Sequence, residues 1–353
     1  MTQLTPQTLL VTGGAGFIAS SFVGQAVERG QRVIVLDKLT YAGHRANLDW
    51  IDAKGWSGSY ELVVGDICDG DLVATLLAKH QPDALVHFAA ESHVDNSIES
   101  PAEFVETNVV GSYRLLEASR AYWNGLEGER KADYRHLQVS TDEVFGELGN
   151  EGYFSEKTPY QPNSPYSASK AAADHFARAW FHTYGLPTIT TNCSNNYGPR
   201  HFPEKLIPLM ITSALSGKPL PVYGEGLNVR DWIHVQDHTR GVYLALTKGQ
   251  AGETYCFGGR SERKNIDVVK AICELLAEMG PQEHRDYTSQ ITHVKDRAGH
   301  DWRYAIDDSK AERELGFERE FKDFEAGLRA TIEWFLANQD WCARVLNEAK
   351  EVA

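Results

Sequence analysis

The stretch Val11-Thr12-Gly13-Gly14-Ala15-Gly16-Phe17-Ile18-Ala19 decides how the rest of the chain is read. An apolar run, Leu9–Val11, enters it, and an amphipathic helical pattern, Phe17–Arg29, leaves it. Gly14-x-Gly16-x-x-Ala19 has the spacing of a dinucleotide fingerprint, and Gly13-x-x-Gly16-x-x-Ala19 fits a second spacing of the same turn. Residues with little or no side chain let the backbone approach a pyrophosphate, whose charge then faces a helix N-terminus. A strand before and a helix after are the context that gives such a motif its meaning.

Outward from that turn, short apolar runs alternate with longer helical patterns. Leu9–Val11, Arg32–Leu36, Tyr60–Val64, Ala84–Phe88, Arg135–Ser140 and Pro187–Asn192 read as strands. Phe17–Arg29, Asp71–Lys79, Pro101–Trp123 and Tyr166–Tyr184 read as helices between them. This alternation predicts an α/β fold, a Rossmann-type doubly wound parallel sheet that binds ligands beyond the carboxyl ends of its strands. After Asn195 prolines and glycines multiply and the elements shorten, as expected of a smaller α+β lobe closing a cleft. The division expected is 1–195 as the dinucleotide domain with a return segment near 229–262, and 196–228 with 263–353 as the second lobe. Phe324, Leu328, Ile332 and Phe335 stripe one face of a helix over Phe324–Asn338.

The 353 residues carry 42% hydrophobic and 24% charged side chains, which suits a chain that buries a real core. With 35 basic and 49 acidic residues the net charge is -14, which disfavours nucleic acid and anionic membrane surfaces as partners. A phosphorylated ligand must then be held by a local cluster of cations. Five widely spaced cysteines without a Cys-x-x-Cys pair, and no run of ~18 apolar residues, fit a cytoplasmic protein with reduced thiols. His234 and His238 stand four apart with no third ligand at a useful spacing, so no metal is expected.

Asp37 follows the second strand, 18 residues past Ala19, where a carboxylate accepts hydrogen bonds from ribose hydroxyls and repels a 2′-phosphate. That favours NAD over NADP. Asp66-Ile67 after the third strand is placed to edge the adenine, and Ala89-Ala90 after the fourth to let cofactor cross the strand ends.

Tyr166-Ser167-Ala168-Ser169-Lys170 opens a helix, and residues four apart share a helix face. A phenol has an ordinary pKa of about 10, and a neighbouring ammonium and a positive nicotinamide ring would lower it. Such a tyrosine can take a sugar hydroxyl's proton while the carbon gives up hydride. Thr141-Asp142-Glu143 runs off the fifth strand. A hydroxyl at Ser140 or Thr141 can bond the reacting sugar hydroxyl. Simple oxidation requires no second acid and base, whereas loss of water requires both. For that, one carboxylate must be ionised and the other protonated, and proximity itself separates their pKa values.

These blocks resemble the extended short-chain dehydrogenase/reductase superfamily and, more narrowly, its dTDP-glucose 4,6-dehydratases. Similar stretches include Asp37-Lys38-Leu39-Thr40-Tyr41-Ala42-Gly43, Ala89-Ala90-Glu91-Ser92-His93-Val94-Asp95, Asn195-Asn196-Tyr197-Gly198-Pro199, His201–Pro208, Asn228–Trp232 and Asp296–Asp301. The resemblance implies that Tyr166 starts oxidation at C4 with Lys170 and Thr141 assisting. It implies that Glu143 then removes the C5 proton, Asp142 protonates the leaving C6 hydroxyl, and hydride returns from NADH to C6. It adds Gly13, Gly16, Phe17, Ile18, Lys38, Leu39, Thr40, Ser92, Thr107 and Asn196 to the NAD site. It assigns Ser92, Thr141, Asn195, Lys205, Leu206, Pro221, Val222, Tyr223, Arg230, Asn265, Asp296, Arg297 and His300 to the nucleotide sugar, with Lys205, Arg230 and Arg297 on the pyrophosphate. It also implies a homodimer, formed through the helices Pro101–Trp123 and Tyr166–Tyr184.

Ala19, Phe145 and Ala298 depart from the family's usual glycine, tyrosine and proline, and none removes a catalytic group. A nucleotide-sugar 4-epimerase or decarboxylase would share the glycine turn, Tyr166 and Lys170, but an epimerase does not need the carboxylate pair. A 4,6-dehydratase of a CDP-, UDP- or GDP-hexose differs only in loop contacts to the base. A non-catalytic NAD-binding regulator is the reading from another class, and the complete set of reactive groups argues against it.

Overall fold

In the computed structural model, residues 3–280, 285–297 and 299–352 are described, so the Ala298 departure lies outside them. Seven strands form one parallel sheet: β1 (Thr8–Thr12), β2 (Arg32–Asp37), β3 (Ser59–Val64), β4 (Ala84–His87), β5 (Arg135–Thr141), β6 (Thr188–Cys193) and, from much later in the chain, Thr254–Phe257. From one edge to the other the order runs β3-β2-β1-β4-β5-β6 and then Thr254–Phe257. The reversal between β1 and β4 is the switch point where an open sheet receives a ligand. The expected doubly wound parallel sheet is therefore present, with strand ends within a residue or two of those read from the sequence.

Alternation along each strand explains the two helical layers. Leu9, Val11, Val33, Val35 and Val86 point into a core built with the helices Phe17–Glu28 and Val235–Lys248. Leu10, Ile34, Leu36 and Leu85 point the other way, toward the helices Gly70–His80 and Ser112–Asn124. Residues buried on both faces give the near-continuous apolar runs that parallel strands show.

The helix expected over Pro101–Trp123 is not one regular helix. It comprises Pro101–Phe104, a π-helical segment Val105–Gly111, and the helix Ser112–Asn124. Asn108 within the wide turn explains the departure. Its side chain accepts from Glu91 N at 2.8 Å and donates to Glu91 O and Ser169 Oγ, each at 2.9 Å. Those bonds tie the segment to the loop after β4 and to the helix Pro165–Tyr184, a use typical of π-turns near functional sites.

Two small sheets, Asn195–Tyr197 with Val229–His234 and Glu262–Lys264, and Leu220–Tyr223 with Ile291–Val294, rest with helices beside the strand ends. Their core joins Ile207, Met210 and Ile211 to Val268, Ile272 and Leu276. The expected stripe Phe324, Leu328, Ile332 and Phe335 seals it, each at most 3% exposed.

Candidate active site

The turn after β1 shows which glycine spacing matters. Gly13 has φ +68°, and a Cβ there would lie 2.6 Å from the backbone of Ala89. Gly16 precedes the helix Phe17–Glu28 as its N-cap, with no side chain closing the end. Gly14 instead packs on β2, where a Cβ would meet Val35 at 2.6 Å, and it does not line the cavity. The working pattern is therefore Gly13-x-x-Gly16-x-x-Ala19. It bares backbone and a helix N-terminus to a cleft of about 380 Å³ at the strand ends.

Asp37 closes β2 and lies against the same turn. One carboxylate oxygen accepts from Ala15 N at 2.9 Å and the other from Leu39 N at 2.8 Å. Burial pushes its pKa up while these two donors pull it down. Each oxygen keeps lone-pair capacity for a ribose hydroxyl. Lys38 pairs with Asp66 at 2.8 Å, so its charge is already answered beside Asp66-Ile67, where the sequence leads one to expect the adenine edge. An open glycine turn, a bare helix end and an anchored carboxylate together fit NAD.

Of the cofactor residues read from the sequence, Gly13, Gly16, Phe17, Ile18, Asp37, Lys38, Thr40, Asp66, Ile67, Ala89, Ala90, Ser92, Thr107, Tyr166, Lys170 and Asn196 line this one cavity. Leu39 does not. Its left-handed backbone, φ 55°, turns the side chain onto the apolar core, and its contribution is the amide on Asp37. Asn196 is oriented by His238, whose Nδ1 lies 2.9 Å from its Oδ1. That bond gives His238 a role unrelated to metal binding.

The reactive groups come from two elements. Ser164 caps the helix Pro165–Tyr184 in a reciprocal box with Ser167, and Pro165 starts its first turn. That start places Tyr166 and Lys170 on the face toward β5, 8% and 4% exposed. Thr141 ends β5 and caps the short turn Asp142–Phe145, its Oγ1 accepting from Glu143 N at 3.3 Å. Thr141, Asp142, Glu143, Tyr166 and Lys170 all line the cavity.

Two electrostatic features differ from, or sharpen, the expectation. Tyr166 is not a low-pKa phenol in the free protein. Burial first, then the charge of Glu143, hold its proton, and only the Thr141 hydroxyl beside it works the other way. Lys170 gives Nζ to Val139 O at 2.8 Å, so its ammonium is held against β5. The carboxylates separate as the chemistry requires. Burial, and then the charge of Glu143, push Asp142 well up, and its Oδ2 is buried with no protein partner. Burial raises Glu143 too, but Arg297, Arg230 and Lys205 oppose it. Asp142 is thus the group that keeps its proton.

The substrate residues divide into two groups. Ser92, Thr141, Asn195, Lys205 and Leu206 line the cavity with the reactive groups. Pro221, Val222, Tyr223, Arg230, Asn265, Asp296, Arg297 and His300 do not line it. Several of them form a neighbouring cluster in the second lobe. Tyr223 Oη donates to Asp95 at 3.4 Å, Arg297 lies 3.7 Å from the same carboxylate, and His300 is 2.7 Å from Asp296. Arg230 stacks on Tyr304 at 4.2 Å and gives one nitrogen to Val229 O and the other to Asp301 O. Arg297 Nε, Asn195 Oδ1 and Asn265 Oδ1 are buried polar atoms without protein partners, as a ligand-binding surface needs. Tyr41, His201 and Phe202 also line the cavity, and Asp95 and Asn108 make the contacts given above; none of the five is assigned a role from the sequence. An asparagine at the centre of an otherwise helical pattern was the available signal for Asn108.

Comparison with known proteins matches this geometry. Residues 10–331 match the family described as GDP-mannose 4,6 dehydratase. A dTDP-glucose 4,6-dehydratase of Xanthomonas campestris pv. campestris is 58% identical, over 96% of each chain. Dehydratase 1 of that name from Escherichia coli K12 is 53% identical, over 97% of this chain and 96% of the relative. The crystal structure of DesIV, a dTDP-glucose 4,6-dehydratase from Streptomyces venezuelae with NAD and TYD bound, superposes with a TM-score of 0.85 at 45% identity, covering 96% of this chain and 99% of that one. More than half the residues in common along nearly the whole of two relatives, on the same fold, leave one assignment: the chain belongs to the dTDP-glucose 4,6-dehydratase family, NAD-dependent enzymes of the short-chain dehydrogenase/reductase superfamily.

Proposed function

We propose that this chain converts dTDP-glucose to dTDP-4-keto-6-deoxyglucose and water. The observation that carries the reading is the convergence of Tyr166, Lys170, Asp142 and Glu143 on the cavity that also holds Gly13, Gly16 and Asp37. Gly13, Gly16 and Asp37 would hold NAD, which when bound would supply a hydride acceptor for C4 and a donor for C6, so that the overall reaction carries no net oxidation. Tyr166 receives the C4 hydroxyl proton, with Thr141 aligning that hydroxyl. Burial holds the phenol's own proton in the free protein, so we assign Lys170, one helical turn on from Tyr166, to favour the phenolate once the positive nicotinamide ring would be bound. The resulting ketone acidifies C5. Glu143 removes the C5 proton and Asp142 gives its proton to the departing C6 oxygen, which leaves as water with a C5–C6 double bond behind it. Hydride return to C6 is matched by a proton to C5 from the Glu143 carboxyl after exchange with solvent, and the C4 proton taken by Tyr166 balances the one Asp142 gave up.

Lys205, Arg230 and Arg297 hold the diphosphate in this reading, which is supported by the pull of all three charges on Glu143. Asn195 and Asn265 offer their unpartnered oxygens to sugar and nucleotide, and Pro221–Tyr223 lines the base with Asp296 and His300 near it. The sheet with its returning strand forms the NAD domain, and 196–228 with 263–353 forms the nucleotide-sugar lobe. Exposed Val105, Tyr113 and Tyr184 lie on the segments 101–123 and 166–184, the ones we assign to joining two copies as a homodimer. The enzyme works in the cytoplasm; no described helix is long and apolar enough to cross a membrane.

The test is incubation with dTDP-glucose in parallel with CDP-, UDP- and GDP-hexoses, followed by the alkali absorbance of a 4-keto product. Product from dTDP-glucose alone is expected. Absence of turnover, or recovery of only a 4-epimer, overturns the reading. Sedimentation at micromolar concentration tests the dimer.

A further inference from the structure

Behind the reactive face of the helix Pro165–Tyr184 stands a buried carboxylate that the dehydration chemistry does not use. Asp174 follows Lys170 by four residues on the same helix and is 4% exposed. Its Oδ2 accepts from Ser140 Oγ at 2.6 Å and from Tyr160 Oη at 3.0 Å. Ser140 immediately precedes Thr141 on β5. Tyr160 packs edge-on to Phe145, at 5.2 Å, just beyond Glu143. Asn192 on β6 flanks Asp174 and gives its amide to Thr141 O at 2.9 Å. One carboxylate thus ties the helix bearing Tyr166 and Lys170 to both sides of the segment bearing Thr141, Asp142 and Glu143.

Lys170 explains why a charge is needed there. Its ammonium is buried, with one bond to Val139 O. A buried ammonium without an opposite charge tends to lose its proton. The groups that face Lys170 are Asp174 on its own helix, Cys193 on β6 and His87 on β4. Burial keeps the thiol and the imidazole neutral, pushing Cys193 up and His87 well down. Ser140, Tyr160 and Asn192 are uncharged donors. Among these groups Asp174 alone can supply negative charge.

We propose that Asp174 is a positioning residue of the dehydration: it is the counter-ion that keeps Lys170 an ammonium and the brace that aligns β5 with the Tyr166 helix. The inference rests on the proposed function. Burial pushes the carboxyl up to about 6, so it remains mainly ionised at neutral pH.

Asp174→Asn keeps the shape and an acceptor and removes the charge. Its kcat at neutral pH is expected to fall about 10- to 100-fold, with KM within about twofold. The alkaline limb of the kcat–pH profile, which loss of a proton from either Asp142 or Lys170 brings on, should move to lower pH, because Lys170 gives up its proton sooner. Tyr160→Phe keeps the charge and removes one donor to it. Its acid limb should move up by about half a unit or more, because the carboxylate protonates sooner, while its alkaline limb stays. If Asp174→Asn does not fold, Tyr160→Phe alone decides. Profiles with the limbs of the wild-type enzyme, in a folded variant, overturn the proposal. Failure of the wild-type enzyme to consume dTDP-glucose would overturn the proposed function instead, so the two failures are distinct.

Discussion

Asp142 and Glu143 are neighbours in the chain and opposites in surroundings. Asp142 is 2% exposed, with a carboxylate oxygen that meets no protein donor, whereas Glu143 sits in the field of Arg297, Arg230 and Lys205. That difference lets one act as an acid and the other as a base at the same pH.

The first prediction concerns pH. Glu143 must be ionised, and Asp174 with it, so turnover falls as pH drops through their raised pKa values, which places the acid limb above the ordinary glutamate range near 4.5. Asp142 must be protonated, so turnover also falls once pH climbs through its still higher value. Glu143→Gln and Asp142→Asn should each lower kcat about 10²- to 10⁴-fold, measured as 4-keto product under saturating substrate. Retention of wild-type kcat by either variant contradicts the assignment.

Stability should move opposite to activity at Asp142. A carboxyl whose pKa is raised by folding contributes stability below the unfolded value, and that contribution is lost as pH rises toward the folded value. Asp142→Asn keeps an acceptor for Thr141 and escapes this loss. Its melting temperature at pH near 7.5 should exceed that of the wild-type protein by about 2–4 °C, and the gap should shrink near pH 4. A variant that melts lower at both values argues against an unfavourable buried charge.

At Gly13 the strain is steric and conformational together. Alanine there meets the Ala89 backbone at 2.6 Å while holding φ +68°. Gly13→Ala should cost about 1–3 kcal/mol in denaturant unfolding and weaken NAD binding at least tenfold. Gly14→Ala should cost stability by crowding Val35 but spare NAD affinity relative to Gly13→Ala, since it does not line the cavity. Equal losses of affinity would reject the distinction.

Asp37→Asn is expected to weaken NAD binding about 10- to 100-fold by titration calorimetry, because the charge that holds Ala15 N, and in the proposed site would hold a ribose hydroxyl, is gone. Discrimination against NADP should narrow at the same time. An unchanged ratio of the two affinities would remove Asp37 from cofactor selection.

Much of this was legible before any coordinates. Parallel strands are buried on both faces, so Leu9–Val11 and Arg32–Leu36 announce themselves as apolar runs, and the turn between them carries its own spacing. Tyr166 and Lys170 are separated by one helical turn, which makes their shared face readable. What was not legible depends on contacts distant in sequence. The fingerprint alone allowed either Gly13 or Gly14, and only Val35 and Ala89 distinguish them. The π-helical turn at Asn108 follows from partners at Glu91 and Ser169. The high pKa of Tyr166 comes from burial and from Glu143, neither visible in Tyr-x-x-x-Lys.

The most direct test of the central claim uses dTDP-glucose carrying deuterium at C5, turned over in ordinary water. The account predicts that the wild-type product loses that deuterium to solvent, read by proton NMR at C5, and that Glu143→Gln leaves it in place. A 4-keto-6-deoxy product formed by Glu143→Gln at the wild-type rate, with the label lost to solvent, would show that another group removes the C5 proton, and would contradict the mechanism.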